Sequence, residues 1–412
     1  MIHFLLPRNS AQLYRHTQFQ SHEVADDATA KTAPTLVISN SLSYYLKDIK
    51  TRIDNQEADW DVYKRYTNPY EYIHTTVPGK RKCISKYKPL SRSFFKMVEL
   101  IQFFRLLDVP NTERPGGKMY QNTRQMSTRP IRSFHLAEGP GGFIEALAHI
   151  RKNRSDEYVG MTILDDVHDP NIPAWKKSQQ FLQENPNVFI ENSQDGTGNI
   201  LSLENFDYCY EKYGSSMDFV SGDGGFDFSI DFNNQEQHIA QLLFGQMAYA
   251  VCMQKRGGCF VLKVFDCFMQ HTLDILAILS SFYEKVYITK PQTSRYANSE
   301  KYVVCKGFFG NVGEFMPHIR NAFREMLDPA NCDKSVLRFL SVPLSLLFLN
   351  RMEEFNAIFG QQQIENIHHT LLLIDNNHKH DKIDNLIKLS VQRCIHWCTK
   401  YNIPYYMTLF DV

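Results

Sequence analysis

The sequence predicts a doubly wound α/β protein, a mostly parallel sheet with helices on both faces, carrying a mixed addition at its amino end and a helical one at its carboxyl end. Three observations point there. Short β-branched and aromatic runs alternate with helix-patterned segments between residues 131 and 308. A glycine-rich turn, EGPGGF, follows the first of those runs and opens a helix. The acidic and basic residues of chemical interest, Asp223 and Lys263, fall at the ends of later runs, where open α/β sheets bind their ligands.

In chain order, the first sixty or so residues are polar, with DDATAKTAP read as loop and a mixed helix pattern over residues 42–63. Trp60, Tyr63, Tyr66, Tyr70, Tyr72 and Tyr87 pack this segment onto the main domain or offer a stacking face to a nucleobase. Next comes KRKCISKYKPLSR, which gathers Lys80, Arg81, Lys82, Lys86, Lys88 and Arg92 into one basic stretch. Phe94, Phe95, Met97, Val98, Leu100, Ile101, Phe103 and Phe104 predict a largely buried helix over residues 91–107 that also carries Lys96. Residues 111–130, with Pro115-Gly116-Gly117, read as loop. Seven strands are expected: IRSFHLAE, EYVGMTIL, NVFIEN, MDFVSGD, CFVLKVF, KVYITK and KYVVCKGF. Helices over 235–254 and 272–283 separate the later ones. After residue 310 the pattern predicts helices throughout, including VLRFLSVPLSLLFLNRMEEFNAIF, HHTLLLI and KIDNLIKLSVQRCIHWCTKY, and then YNIPYYMTLF as a strand or extended tail.

A chain of 412 residues suggests two or three units, divided as 1–90, 91–310 and 311–412. The formal net charge is zero, which excludes a protein that coats nucleic acid indiscriminately but leaves room for the local basic stretch. The nine cysteines lack paired CxxC spacing, so reduced, buried thiols are expected. Cys394 and Cys398 lie one helical turn apart with His378 and His380 upstream, yet a lone CxxxC on a helical pattern reads as core, and no metal is expected. The opening MIHFLLPRNS has too short an apolar run for a signal peptide, and no apolar stretch reaches membrane-spanning length.

The turn HLAEGPGGFIEAL has its own chemistry. Gly139, Gly141 and Gly142 let backbone approach a ligand closely, and the N–H groups at the helix start can bind a carboxylate. Together with VSGDGGFD around Asp223, CFVLKVFD around Lys263 and KPQTSRYANSEKYVVCKGF around Glu300, it resembles the FtsJ-like RNA ribose 2'-O-methyltransferases, most closely those acting on the mRNA cap. The likeness covers about half the chain, and its most specific stretch is residues 290–308.

That resemblance implies a Rossmann-like S-adenosylmethionine-dependent methyltransferase sheet and a Lys-Asp-Lys-Glu tetrad. By motif the tetrad falls on Lys96, Asp223, Lys263 and Glu300, with Lys86, Lys88 and Lys118 as rivals for the first position. Lys263 would take the proton of the ribose hydroxyl, oriented by Asp223 and Glu300. The cofactor S-adenosyl-L-methionine would lie over Glu138, Gly139, Pro140, Gly141, Gly142 and Phe143, with Asp223 near its ammonium, Asp165 at its ribose, and Asp195 and Ile200 bracketing its adenine. For RNA, the resemblance and the local charge assign Lys80, Arg81, Lys82, Lys88, Arg92, Asn233 and Arg295. Capped mRNA is the implied partner, with other capping or transcription proteins beside it and no membrane. A cellular protein of this kind would be cytoplasmic or nuclear, a viral one cytoplasmic or in the virion. The alternatives are a ribosomal or transfer RNA 2'-O-methyltransferase and a non-catalytic RNA-binding subunit.

Overall fold

The structure, a computed structural model, describes residues 1–23, 38–108, 128–164, 174–225, 234–331, 333–378 and 380–407. Its elements run β1 (His3–Leu5), β2 (Thr17–Glu23), α1 (Asn40–Asp54), α2 (Glu57–Thr67), α3 (Ser93–Phe104), β3 (Arg132–Leu136), α4 (Gly142–Arg151), β4 (Glu157–Met161), α5 (Gln179–Glu184) and β5 (Val188–Ile190). There follow α6 (Leu203–Tyr213), β6 (Met217–Gly222), α7 (Gln235–His238), α8 (Ala240–Met253), β7 (Gln254–Val264), α9 (Gln270–Phe282), β8 (Tyr283–Thr289) and β9 (Lys301–Phe308). The carboxyl addition contains α10 (Val312–Met326), β10 (Lys334–Leu340), α11 (Leu346–Asp375) and α12 (His380–Lys400).

The seven expected strands are β3 to β9, and they form one sheet with an eighth strand, in the order β1-β8-β9-β7-β6-β3-β4-β5. The strands β5, β4, β3, β6 and β7 are mutually parallel, while β9 runs antiparallel to both β7 and β8. Strand order reverses between β3 and β6, so a crevice opens beyond their carboxyl ends. Both faces of the sheet are covered. On β7, Phe260, Leu262 and Val264 enter the core shared with α8 and α9, whereas Cys259 and Val261 enter the core shared with α3, α4 and α12. Burial on both faces is why the central strands β6 and β7 read as nearly continuous apolar runs.

Several helical expectations change. In the run VLRFLSVPLSLLFLNRMEEFNAIF only the first five residues, 336–340, are strand, in β10, while the part from Leu346 onward is helical in α11; β10 pairs antiparallel with β2, which lies in the polar amino-terminal stretch ahead of DDATAKTAP. Val336, Phe339 and Leu340 of β10 are buried against the main core, and their partner strand lies about three hundred residues away in sequence, beyond the reach of any local periodicity. HHTLLLI is not a separate helix but part of the thirty-residue α11. Residues 235–254 divide into α7 and α8, and the mixed pattern over 42–63 into α1 and α2.

The additions pack into the sheet domain. Trp397 of α12 is buried among α3 residues, edge-on to Phe95 with ring centroids 5.8 Å apart, and its Nε1 donates to Glu99 at 3.4 Å. Cys394 and Cys398 sit in the same core. Trp397→Ala is expected to lower global stability by about 3–5 kcal/mol, the usual cost of emptying a buried aromatic site, as measured by urea melts. Among the described residues no helix is long and apolar enough to cross a membrane.

Candidate active site

Four elements converge at the carboxyl end of the sheet. Asp223 directly follows β6, and Lys263 is the penultimate residue of the neighbouring β7. Because β9 runs antiparallel to β7, its first residue lies where β7 ends: Lys263 faces Tyr302 and Val264 faces Lys301 in register. Glu300, just before β9, is thereby carried to the same end. Helix α3 supplies Lys96 from one side, its apolar residues anchoring it in the core shared with α4.

The resulting contacts are close. Lys96 Nζ donates to Glu300 Oε2 at 2.7 Å, and Ser294 Oγ donates to Glu300 Oε1 at 2.8 Å. Lys263 Nζ donates to the Asp223 carbonyl oxygen at 2.8 Å and lies 3.2 Å from its Oδ1. Tyr302 OH donates to the same Oδ1 at 3.4 Å. Burial opposes ionisation of Glu300, yet Lys96, Lys263 and Lys290 together hold its carboxyl far below the usual range. Burial also lowers Lys96, against the attraction of Glu300.

The glycine turn lies next to this group. Gly141 has φ +107° and starts α4 without a side-chain cap of its own; Glu138 supplies one, its Oε1 accepting from Phe143 N at 2.6 Å and Ile144 N at 3.2 Å. The other oxygen of Glu138 is buried and has no partner among the described residues. Burial first, and then Asp223, push the Glu138 carboxyl well above its ordinary value. Two acids therefore share the space in front of the turn. A Cβ at Gly139 would lie 2.5 Å from the Ala174 carbonyl oxygen, which is backbone, so that position does not accept a side chain; one at Gly142 would meet the hydroxyls of Ser91 and Ser93, which would have to turn away. Pro140 offers its carbonyl to Ser178 Oγ at 2.5 Å, and Phe143 is wholly buried.

Other sequence-assigned residues lie in different settings. Asp195 is exposed and accepts from Thr197 N at 2.8 Å, closing its own loop, while Ile200 is buried in the core. Asp165, Asn233 and the rival Lys118 are outside the described residues. Lys80, Arg81, Lys82, Lys86 and Lys88 are exposed, and Lys82 and Lys86 stand over the Tyr406 ring at 4.6 and 5.0 Å. Arg92 and Arg295 both turn toward Glu71, which no sequence pattern singles out.

Further supporting residues become visible only in the fold. Gln246 of α8 accepts from Gly224 N at 2.9 Å and fixes the segment after Asp223. Glu99, one turn beyond Lys96, accepts from Gln292 N at 2.8 Å and Thr293 N at 3.2 Å, pinning the loop that leads to Glu300. The additions hold the same loops: Gln363 of α11 donates to Ala297 O at 2.9 Å, Asn356 to Cys267 O at 2.8 Å, and Lys50 of α1 pairs with Asp266 at 3.2 Å. Each is a single amide or amine on the buried face of its helix, and which group it meets across the chain is not marked in the local sequence.

The arrangement offers an amine held at a strand end, an ion pair beside it, and an acidic pair in front of a glycine cradle suited to a cationic ligand. Comparison with known proteins agrees with that chemistry. The FtsJ-like methyltransferase family model matches residues 89–308. The chain is 34% identical over 176 residues to a cap-specific mRNA (nucleoside-2'-O-)-methyltransferase 1 of Trypanosoma brucei brucei, a stretch covering 42% of this chain and 48% of that protein. It is 26% identical over 364 residues to a cap-specific mRNA (nucleoside-2'-O-)-methyltransferase 2 of Pongo abelii, covering 84% of this chain and 43% of that one. The chain spans about half the length of the curated relatives it matches.

Proposed function

The chain belongs to the FtsJ-like methyltransferase family, and from that premise we propose that it methylates the ribose 2'-oxygen of a first transcribed nucleotide of capped mRNA, using S-adenosylmethionine. The observation that carries this reading is the convergence of Lys96, Asp223, Lys263 and Glu300 at one end of the sheet, beside the glycine turn. The orphaned, buried Glu138 oxygen supports the cofactor: a second acid beside Asp223, whose ionised form an arriving cation would favour, fits a ligand carrying ammonium and sulfonium charge, and the bare backbone at Gly139 to Gly142 fits close approach. When bound, S-adenosylmethionine supplies an activated methyl group.

The chain's own residues do the rest. Asp223 holds the Lys263 amine through its carbonyl and its carboxylate, which fixes the direction of the amine's remaining position. In its neutral form Lys263 accepts the proton of the 2'-hydroxyl as the oxygen attacks. Glu300 compensates the charge of Lys96 and, through it, the charge arriving at Lys263. Holding the nucleophile in line with the methyl can contribute on the order of 7–11 kcal/mol in favourable cases. Such a substrate fits a protein of the cytoplasm or nucleus if cellular, and of the cytoplasm or virion if viral.

The test is transfer of tritiated methyl to matched capped and uncapped short RNAs, followed by nuclease mapping of the methylated sugar. Transfer confined to a ribose next to the cap is expected. Equal transfer to uncapped RNA would instead favour a ribosomal or transfer RNA substrate.

The exposed basic stretch fits an encounter with the RNA backbone rather than with bases. Replacing Lys80, Arg81 and Lys82 together by Ala is expected to weaken binding of all RNA sequences alike. On a single strand, the slope of log affinity against log salt should flatten by about 0.7 for each phosphate that the variant no longer neutralises. Cofactor affinity, read by calorimetry, should not change.

A further inference from the structure

Beside the Lys96–Glu300 pair lies a second charged cluster whose arithmetic does not close. Glu71, fully buried, receives Arg295 through two bonds, Nε to Oε2 at 2.9 Å and Nη2 to Oε1 at 2.6 Å. Arg92 reaches the same carboxylate, its Nη1 3.9 Å from Oε2, and its Nη2 donates to the Thr293 carbonyl at 3.1 Å. Two guanidinium charges thus face one carboxylate. The other titratable groups nearby do not balance the sum. Burial, with Arg92 next to it, drives His74 down to about 3, so it stays neutral. Lys96 is matched by Glu300, and Asp61 by Lys64. Glu99 is fully buried and directs its oxygens to N–H donors of the 292–293 loop, the Thr293 hydroxyl and Trp397. Among the described residues, one positive charge in a largely buried cluster is left without a counter-ion, a costly arrangement unless an anion completes it.

The cluster is open on one side. Each arginine side chain keeps 24% of its surface exposed, and among the described residues Nη1 of Arg295 and Nε of Arg92 have no hydrogen-bond acceptor. Its position is tied to the reacting group: Arg92, at the amino-terminal cap of α3, lies one helical turn before Lys96, and Arg295 lies on the loop whose Ser294 holds Glu300. Planar guanidinium forks match the oxygens of a phosphodiester.

We propose that Glu71 presents Arg92 and Arg295 as a two-guanidinium cradle for one internucleotide phosphate of the RNA, the one adjoining the ribose that is methylated. Glu71 is a positioning residue here; it contacts the arginines and not the RNA. The inference rests on the RNA reading of the active site and adds to it which phosphate is gripped and by what. It also differs in kind from the exposed lysine stretch, which meets the backbone diffusely.

The test uses the full chain and short capped RNAs in which one internucleotide phosphate at a time is replaced by a neutral methylphosphonate. With the unmodified protein, a single linkage next to the target ribose should stand out, its neutralisation weakening binding by about 10- to 100-fold, the worth of a charge-assisted bidentate contact. In Arg295→Met that linkage should no longer stand out, and in Glu71→Gln the penalty should shrink while the cofactor dissociation constant is unchanged. Arg295→Lys, which keeps the charge and removes the fork, should show an intermediate penalty and serves if the Met variant does not fold. A penalty that persists in full in Arg295→Met and Arg295→Lys, or equal penalties at every linkage in the unmodified protein, would overturn the cradle. Absence of ribose methylation on any RNA would instead remove the reading on which it rests.

Discussion

Lys263→Ala should abolish measurable methyl transfer, a fall of about 10²–10⁴-fold or more, while the dissociation constant for S-adenosylmethionine changes little. The separation follows from the hydrogen bonds. Lys263 Nζ touches Asp223 through its carbonyl and carboxylate oxygens, and neither the glycine turn nor Glu138 depends on it for a hydrogen bond. Removing the amine leaves the acidic pair in front of the turn intact, so a cationic cofactor keeps its partners. Calorimetry and single-turnover transfer, run on the same preparation, make the distinction. Substantial turnover in the variant would take the base role away from Lys263. A large drop in cofactor affinity would assign Lys263 to holding the site together.

Gly141→Val is expected to reduce cofactor affinity by at least about 100-fold, because two penalties coincide at this position. The backbone φ of +107° lies where a β-branched residue is strained, at a cost of about 1–3 kcal/mol. A Cβ there would already touch Leu90 Cδ1 and Trp175 Cζ3, each at 3.4 Å, so the two further methyl groups crowd both side chains. Relief requires the turn to move, and with it the start of α4 that Glu138 caps. Gly257→Val is the control, since Gly257 also has positive φ, at +82°, but nothing within 4 Å of a Cβ. Abolished cofactor binding in the first variant and retention in the second is the expected pair of results. Wild-type affinity in a folded Gly141→Val would make the turn merely structural.

Much of this architecture is legible in the chain. A strand buried on both faces is mostly apolar, as the central strands are, and β3 to β9 are identifiable because each is short, carries β-branched or aromatic residues, and is bounded by polar or glycine-containing segments. The glycine turn is legible for a related reason: a residue without a Cβ is needed next to the Ala174 backbone at Gly139 and suits the positive φ of Gly141, so the composition records the steric demand. Asp223 and Lys263 can be placed because they sit at strand ends, and a strand end is a local property.

Tertiary structure decided the rest, and the reason is distance along the chain. Nothing in VLRFL indicates that its partner is a segment near the amino terminus, so β10 reads as helix until β2 is laid beside it. Likewise Glu71 meets Arg295 across 224 residues, Gln363 meets Ala297 across 66, and Trp397 meets Glu99 across 298. In each case one common polar or aromatic residue becomes specific only through the group it faces. The sequence by itself determined which residues could carry the chemistry, since that depends on residue type and on the local period of the backbone. Which charges are paired, which are left over, and how the two additions grip the loops of the candidate site were decided only when the chain closed on itself, because burial and Coulomb interactions depend on separation in space.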